Sequence, residues 1–296
     1  MIKIASLHFG SGGGHIFGGL TLWQTFKIYL KEPFHYSLLT DSVIELPFVD
    51  ETLEVIPIVA EPEKMWGRDR ETMLYQYLKH IDPDLIIVDN IWFPVKPFLH
   101  EFSAKTAIYF WFLPQQWFQT PPLDDGISHS FQAEDYDLPC TIDPHFHQDG
   151  CLNIPPVINI HQSNLQPPEI IRSVLEVPDN KKLALVAHNG HEGEIEDILK
   201  NADIDPDEYC LRSISSFDDV SKKLFPLSHY MSGIDLAIGG CGYHFFYETK
   251  FYKIPTIYIP QPRIGNEQHW RFEHCIDYEG PFNGADILVE KLLALL

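Results

Sequence analysis

Basic residues, paired cysteines and long hydrophobic runs are all scarce in this chain of 296 residues. Lysine and arginine together number 21 against 42 aspartates and glutamates, so the formal net charge is −21. A charge of this sign and size repels phosphate backbones and anionic lipid surfaces, which argues against nucleic-acid binding. No apolar run reaches the length of a membrane span, so no integral membrane segment is predicted.

The five cysteines form no CxxC pair, and their number is odd. This usage is typical of reduced thiols in the cytoplasm rather than of a secreted disulfide framework. The first residues, MIKIASLHF, contain one lysine and a short apolar run that meets a glycine cluster at Gly10. Since a secretory signal needs a longer apolar region, we interpret this start as a first strand and predict a cytoplasmic protein.

The chain does contain enough apolar residues for two cores, because 45% of it is hydrophobic and 13% aromatic. At about 150 residues per domain, its length corresponds to two domains. Strand-length apolar runs alternate with helical-period segments on both sides of a proline-rich connector, IPPVINIHQSNLQPPEII. We predict an α/β protein of two Rossmann-like doubly wound domains, residues 1–165 and 166–296, that face each other across a cleft.

Strands are predicted at 2–9, 35–40, 53–59, 85–89, 106–112, 182–187, 209–214, 234–239 and 256–260, and helices at 16–30, at 71–81 and from about residues 192 and 242. After Phe112 the periodicity stops for about forty residues, which favours a long loop. Trp117 and Phe118 begin this stretch, and we consider them candidates to stack on an acceptor sugar.

A glycine cluster, GSGGGH, ends at His15 and joins the first strand to the first helix. Glycines at such a turn let backbone N–H groups approach a ligand, and the helix N-terminus adds a positive partial charge. Gly12, Gly13 and Gly14 are therefore candidates to bind a nucleotide. A dinucleotide fingerprint needs a glycine where His15 stands, so an oxidoreductase with Asp41 on the ribose is a weaker alternative. A turn that binds nothing is another.

A second strand runs into glycines at Gly240, Cys241 and Gly242, and Glu248 follows six residues later. This layout suits a sugar nucleotide, with its diphosphate on N–H groups and its ribose hydroxyls on a carboxylate. A solvated helix position for Glu248 is the alternative. After the next strand, Glu267 and Gln268 begin a helix with an acid and an amide that can bond to sugar hydroxyls.

Taken in this order, the three stretches resemble the motifs of MurG-like GT-B nucleotide-sugar glycosyltransferases, with a carboxyl-terminal domain like that of glycosyltransferase family 28. The resemblance implies a nucleotide-diphosphate sugar donor, with UDP favoured, held mainly by the carboxyl-terminal domain. It implies an acceptor of unknown identity on the amino-terminal domain. No cofactor follows from it.

Residue by residue, the resemblance implies diphosphate contacts at Gly240, Cys241 and Gly242, a ribose contact at Glu248, donor-sugar contacts at Glu267 and Gln268, and base contacts at Phe225 and Leu227. Cys241 stands where a small hydroxyl residue is frequent in the family. The strong negative charge also departs from family members that use lipid acceptors.

The predicted reaction is direct displacement, in which a base takes the proton of an acceptor hydroxyl. His15 falls at the loop histidine of the family, and we predict it as that base. Arg212 or Arg263 and the helix after Gly242 are the available sources of positive charge for the leaving group. A nucleotide-sugar hydrolase and a non-catalytic binding protein remain alternatives.

Metal ligands are not predicted. The pairs His145 and His147, and His188 and His191, have no third ligand at a telling spacing. Asp-x-Asp pairs, such as Asp203 and Asp205, fall in predicted turns, where solvated carboxylates are the simpler interpretation.

Overall fold

The computed structural model describes residues 1–10, 13–42, 46, 50–58, 72–119, 130–161, 164–188, 193–215, 219–263 and 265–296. Strands and helices alternate through these ranges and build two sheets in which every pairing is parallel. None of the helices in these ranges is both long and apolar enough to cross a membrane.

The first sheet has seven strands in the order β3-β2-β1-β4-β5-β6-β7. They are β1 (Ile2–His8), β2 (Phe34–Thr40), β3 (Leu53–Pro57), β4 (Leu85–Asp89), β5 (Lys105–Phe110), β6 (Leu138–Thr141) and β7 (Leu152–Asn153). Helices α1 (Gly13–Tyr29) and α2 (Met73–Ile81) accompany them. The central strands are buried on both faces, which explains their almost continuous apolar sequences.

The second sheet has four strands in the order β11-β10-β8-β9. They are β8 (Lys182–Ala187), β9 (Tyr209–Ile214), β10 (Leu236–Gly239) and β11 (Thr256–Tyr258). The helices of this half are α3 (Pro168–Val174), α4 (Glu194–Asn201), α5 (Asp219–Lys223), α6 (Tyr243–Phe251), α7 (Glu267–Cys275) and α8 (Gly284–Leu293).

The predicted fold class is confirmed, and β4, β8 and β9 have the predicted bounds. The prediction of an irregular stretch after Phe112 is wrong, because β6 and β7 lie inside it. These strands have only four and two residues, too few for a visible period, and they are ordered by pairing beside β5. The predicted domain boundary at residue 165 falls between the two sheets and remains a prediction.

The two halves are joined by a buried ion pair between Asp143, after β6, and Arg271 of α7. Arg271 is 1% exposed and donates from Nε to Asp143 Oδ1 and from Nη2 to Oδ2, both at 3.1 Å. The Asp143 carboxylate also accepts from the Phe112 N–H at 2.7 Å and the Tyr247 hydroxyl at 2.6 Å. All of these partners are needed, because a buried charge is costly unless it is paired and hydrogen-bonded.

Aromatic and apolar contacts surround this pair. The Trp270 ring of α7 stacks on Phe112 with 4.3 Å between ring centroids and 6° between planes. The Tyr243 hydroxyl of α6 accepts from the Val157 N–H at 2.8 Å and donates to the Ile142 carbonyl at 3.2 Å. One hydrophobic cluster includes side chains from both halves, and within it helix α1 packs against helix α8.

We predict that Arg271→Ala lowers the free energy of unfolding by about 3–5 kcal/mol, because it leaves the Asp143 charge buried without its partner. Urea denaturation measures the loss. The matched control is Arg172→Ala, whose pair with Asp235 is partly exposed and which we expect to cost about 1 kcal/mol. Equal losses in the two variants would contradict the assigned role of the buried pair.

Candidate functional site

Two histidines meet one carboxylate at the carboxyl ends of β1 and β4. His8 and Asp89 are register partners at the ends of these neighbouring strands. His8 Nδ1 lies 3.0 Å from Asp89 Oδ2, and His15 Nδ1 of α1 lies 2.9 Å from the same oxygen. An ionised carboxylate only accepts hydrogen bonds, so this network assigns the proton to Nδ1 of both rings and leaves His15 Nε2 as an acceptor.

Asp89 is fully buried. Burial by itself raises the pKa of Asp89, but the charges and hydrogen bonds of His15 and His8 outweigh it, so the pKa lies below its ordinary value. Asp89 is therefore ionised at neutral pH and accepts hydrogen bonds from Nδ1 of both histidines. A histidine oriented by a buried carboxylate is suited to act as a general base.

The backbone at Gly10 fixes the position of the His15 ring. A methyl group at Gly10 would lie 2.2 Å from His15 Cδ2 and 2.5 Å from Nε2, so only glycine allows this approach. The Asp41 carboxylate accepts the Gly10 N–H at 2.7 Å, and the Trp111 ring lies 4.4 Å from that of His15. The His15 side chain is 16% exposed, and its Nε2 has no hydrogen-bond partner in the described part of the chain.

The second glycine loop lies between β10 and α6 and is held by Gln268. The Gln268 side-chain oxygen accepts from the N–H groups of Cys241 at 2.9 Å and Gln261 at 3.0 Å. A methyl group at Gly240 would lie 2.6 Å from this oxygen. Gly242 differs, since a methyl group there meets no described atom within 4 Å. With respect to the described residues, the N-terminus of α6 thus borders open space, as an anion site requires.

Glu248 of α6 is 9% exposed, and burial raises the pKa of its carboxyl to about 8. His244 lies one helical turn before it, with 3.9 Å between Glu248 Oε1 and His244 Nδ1. Burial lowers the pKa of His244 to about 4, so this ring is neutral near pH 7 and does not compensate a carboxylate. Glu248 is therefore a buried acid without a hydrogen-bond partner among the described residues.

His244 also connects the two glycine loops. Its Nε2 donates to the Gly14 carbonyl at 3.1 Å. A methyl group added at Gly14, like one added at Gly242, would have no described atom within 4 Å. The structure therefore brings the amino-terminal loop, His15, the α6 N-terminus and Glu248 to one region.

Other predicted residues have different surroundings. Gly13 is buried at the start of α1, and Gly12 lies outside the described residues. The Cys241 side chain is fully buried, and burial raises the pKa of its thiol to about 12. Only its backbone N–H and carbonyl take part in the hydrogen bonds of the loop. Glu267 is partly buried at the first position of α7.

Phe225 packs against Phe17 of α1 with 5.5 Å between ring centroids, and Leu227 begins a short 3-10 turn. The donors of Arg212 are bonded to the carbonyl oxygens of Leu175, Glu176 and Leu211. Among the described residues, the Arg212 guanidinium makes none of its hydrogen bonds to the glycine loops. The prediction that Arg212 neutralises a leaving group therefore gains no support from its hydrogen bonds.

The expectation that Phe118 stacks on an acceptor sugar is wrong. Phe118 is 3% exposed and packs among core aromatics, with 5.2 Å to Phe110 and 5.6 Å to Phe131 between ring centroids. A ring enclosed in this way does not stack on an acceptor. Within the described ranges, no group of three or more metal-ligating side chains is found.

Sequence reasoning missed Asp89, His8 and His244. Asp89 could have been predicted as a site residue, because it ends a predicted strand at the sheet edge where the first glycine loop also begins. His8 had a similar but weaker signal at the end of β1.

No protein-family profile and no curated protein matches the sequence. Solved structures match it along its length at low identity. MurG of Acinetobacter baumannii has a TM-score of 0.50 at 12% identity, covering 100% of this chain and 92% of its own. The glycosyltransferase VinC in complex with dTDP has a TM-score of 0.57 at 13% identity, covering 99% and 91%.

The glycosyltransferase SsfS6 of Streptomyces sp. SF2575, complexed with thymidine diphosphate, has a TM-score of 0.56 at 12% identity, covering 100% and 96%. This chain has the GT-B glycosyltransferase fold. The predicted resemblance to MurG-like GT-B proteins is confirmed at the level of the fold. In this GT-B chain both glycine loops follow the carboxyl ends of parallel strands, where such sheets bind ligands.

The raised pKa of Glu248 predicts a pH-dependent contribution to stability. The folded protein keeps a proton that the unfolded chain releases between the ordinary pKa of 4.5 and about 8. This contribution to the free energy of unfolding is fully present below about pH 4.5 and is lost as the pH rises through about 8.

The stability difference between wild type and Glu248→Gln, measured by urea denaturation at a series of pH values, should therefore decline across this window. Glu273→Gln, at an exposed position of α7, is the control and should give a flat difference. A flat difference for Glu248→Gln as well would show that the carboxyl is not desolvated.

Proposed function

We propose that the chain is a metal-independent hexosyltransferase that moves a sugar from a nucleotide-diphosphate donor, with UDP favoured, to an acceptor hydroxyl. The observation that carries this proposal is the proximity of an oriented base, His15 on Asp89, to the open N-terminus of α6 and the unpartnered Glu248. We further propose residues 1–165 as the acceptor domain, residues 166–296 as the donor domain, and the cytoplasm as the location, in keeping with five free thiols.

The donor site is built around α6. The N–H groups after Gly242 and the helix dipole would bind the diphosphate, which needs no metal ion for this contact. Glu248 would accept hydrogen bonds from the ribose hydroxyls, which supply the partners that the buried carboxyl lacks in the protein. Glu267 and Gln268 would face the donor sugar, and the backbone at Phe225 and Leu227 would face the base.

The transfer step uses His15 Nε2. It removes the proton from the acceptor hydroxyl while that oxygen attacks the anomeric carbon, and the bond to the nucleoside diphosphate breaks. Asp89 stabilises the imidazolium that forms, because its carboxylate accepts the Nδ1–H. The leaving diphosphate keeps its charge at the N-terminus of α6.

The comparisons support this proposal through fold and ligand class. VinC and SsfS6 are both reported with thymidine diphosphate, so both thymidine and uridine diphosphate belong in the first binding assay. A nucleotide-sugar hydrolase, in which water replaces the acceptor, is the second candidate, since the Phe118 ring is enclosed in the core and does not bind an acceptor.

The experiment incubates UDP- and dTDP-sugars in EDTA, with and without candidate acceptor alcohols, and measures the free nucleotide diphosphate. Release that needs an acceptor supports the transferase, and release without one supports the hydrolase. Binding without release indicates a non-catalytic protein. Release only after manganese or magnesium is restored would contradict metal independence.

We predict that His15→Ala keeps nucleotide affinity within a few-fold and lowers turnover about a hundredfold to ten-thousandfold, because loss of a general base affects the chemical step. Calorimetry gives the affinity and a coupled nucleotide assay gives the rate. His35→Ala, at a surface histidine of β2, is the control. Turnover within fivefold of wild type would remove His15 from the mechanism.

We predict that Glu248→Ala weakens nucleotide binding at least about tenfold, because the buried ribose hydroxyls then lose their hydrogen-bond partner, which costs roughly 1–3 kcal/mol. Calorimetry with UDP and dTDP is the measurement, and Glu273→Ala is the control. Unchanged affinity in a folded Glu248→Ala protein would refute the ribose contact.

A further inference from the structure

Asp89 carries one more histidine than an oriented base requires. His15 needs a single carboxylate oxygen to accept its Nδ1–H. His8, on strand β1 beside β4, nevertheless donates to that same oxygen. The additional imidazole is fully buried, so it does not reach a substrate. Within the site, its contact is with Asp89.

His8 is fixed on both of its ring nitrogens. Nδ1 donates to Asp89, and Nε2 accepts from the Ser6 hydroxyl at 2.7 Å. Gly19 of α1 lies so close that a methyl group there would be 2.9 Å from His8 Cδ2 and Nε2. Strand β1 and helix α1 thus hold the ring rigidly, which makes it a suitable support for a second group.

The other carboxylate oxygen, Asp89 Oδ1, makes no hydrogen bond to the described residues that could hold the group in place. Oδ1 is buried and has no hydrogen-bond partner among the described residues, and the neighbouring Tyr109 hydroxyl is in the same condition. Every recorded hydrogen bond of the carboxylate passes through Oδ2. Without His8, the carboxylate would be held by His15 alone, and each of the two groups would be free to turn with the other.

We propose that His8 is a positioning residue for the transfer reaction, which holds Asp89 Oδ2 in place so that His15 presents Nε2 to the acceptor hydroxyl. This inference rests on the proposed function of His15. His8 itself touches neither substrate nor reacting atoms.

His8 also shares the negative charge of Asp89 with His15. Among the described residues, the other titratable groups that interact with Asp89 or His15 are Tyr36 of β2, Tyr109 of β5 and His244 of α6. Burial raises the pKa of both tyrosines and lowers that of His244, so all three are neutral near pH 7. Removing His8 therefore leaves the carboxylate charge to His15 alone and stabilises its imidazolium.

The test compares His8→Phe, which removes the donor, with His8→Asn, whose amide nitrogen takes the place of Nδ1. We expect His8→Phe to lower kcat about tenfold to a hundredfold, with KM within about threefold, since a charge-assisted hydrogen bond is lost behind the base. The acid-side midpoint of its pH–rate profile should move upward by about half a unit or more. His8→Asn should have a kcat within about fivefold of wild type and the wild-type midpoint.

His35→Phe is the control for the same substitution at the surface and should leave the kcat and the midpoint unchanged.

Nitrogen-15 NMR of the histidine rings tests the inference without turnover. We expect His15 to keep the Nδ1–H tautomer in all three proteins, because Asp89 still accepts this proton. Its Nδ1–H should exchange with solvent faster in His8→Phe than in wild type and His8→Asn, because the carboxylate and the ring turn together once His8 is removed. If wild type turns over no nucleotide sugar, the proposed function fails, and the NMR result still decides the role of His8. Equal exchange rates of the His15 Nδ1–H in all variants, or a kcat of His8→Phe within threefold of wild type, would overturn the inference. Equal defects in His8→Phe and His8→Asn with unmoved midpoints would also overturn it, because they indicate packing alone.

Discussion

The ion pair between Asp143 and Arg271 is the contact on which the arrangement of the two sheets depends. Both groups are buried, so each must be compensated within the protein. Burial by itself lowers the pKa of Arg271, but Asp143 more than reverses this effect and keeps the pKa raised. The remaining donor of the guanidinium, Nη1, bonds to the Cys241 carbonyl at 2.7 Å. The residue that joins the halves therefore also touches the second glycine loop.

Helix α7 transmits this constraint to the candidate donor site. Gln268 and Arg271 are three residues apart and so share one face of the helix. Gln268 accepts the Cys241 N–H, and Arg271 donates to the carbonyl of the same residue. Both polar groups of one loop residue are thus held by one helix. This fixes the direction in which α6 begins, and with it the position of His244 against Gly14.

The sequence allowed the glycine loops and the strand ends to be predicted, because short apolar runs followed by glycines mark the carboxyl ends of parallel strands. It did not allow the pairing of His8 with Asp89 to be predicted, since 81 residues separate them and the register of β1 on β4 is set by packing. Asp143 was missed because it follows a four-residue strand with no visible period. Arg212 was assigned by charge alone, and its donors proved to bond backbone carbonyls.

Positive charge is scarce among the described residues at the proposed donor site, and this limits how a diphosphate can be stabilised there. Arg263 makes a bidentate ion pair with Glu194, at 2.7 and 2.8 Å, so it does not present an uncompensated charge. His244 is neutral near pH 7, since burial lowers its pKa to about 4. In a chain with a net charge of −21, the backbone N–H groups and dipole at the start of α6 are then the main attraction for the anion. Because these groups act only at close range, donor specificity in the proposed mechanism rests on the geometry of the Gly242 loop that α7 holds in place.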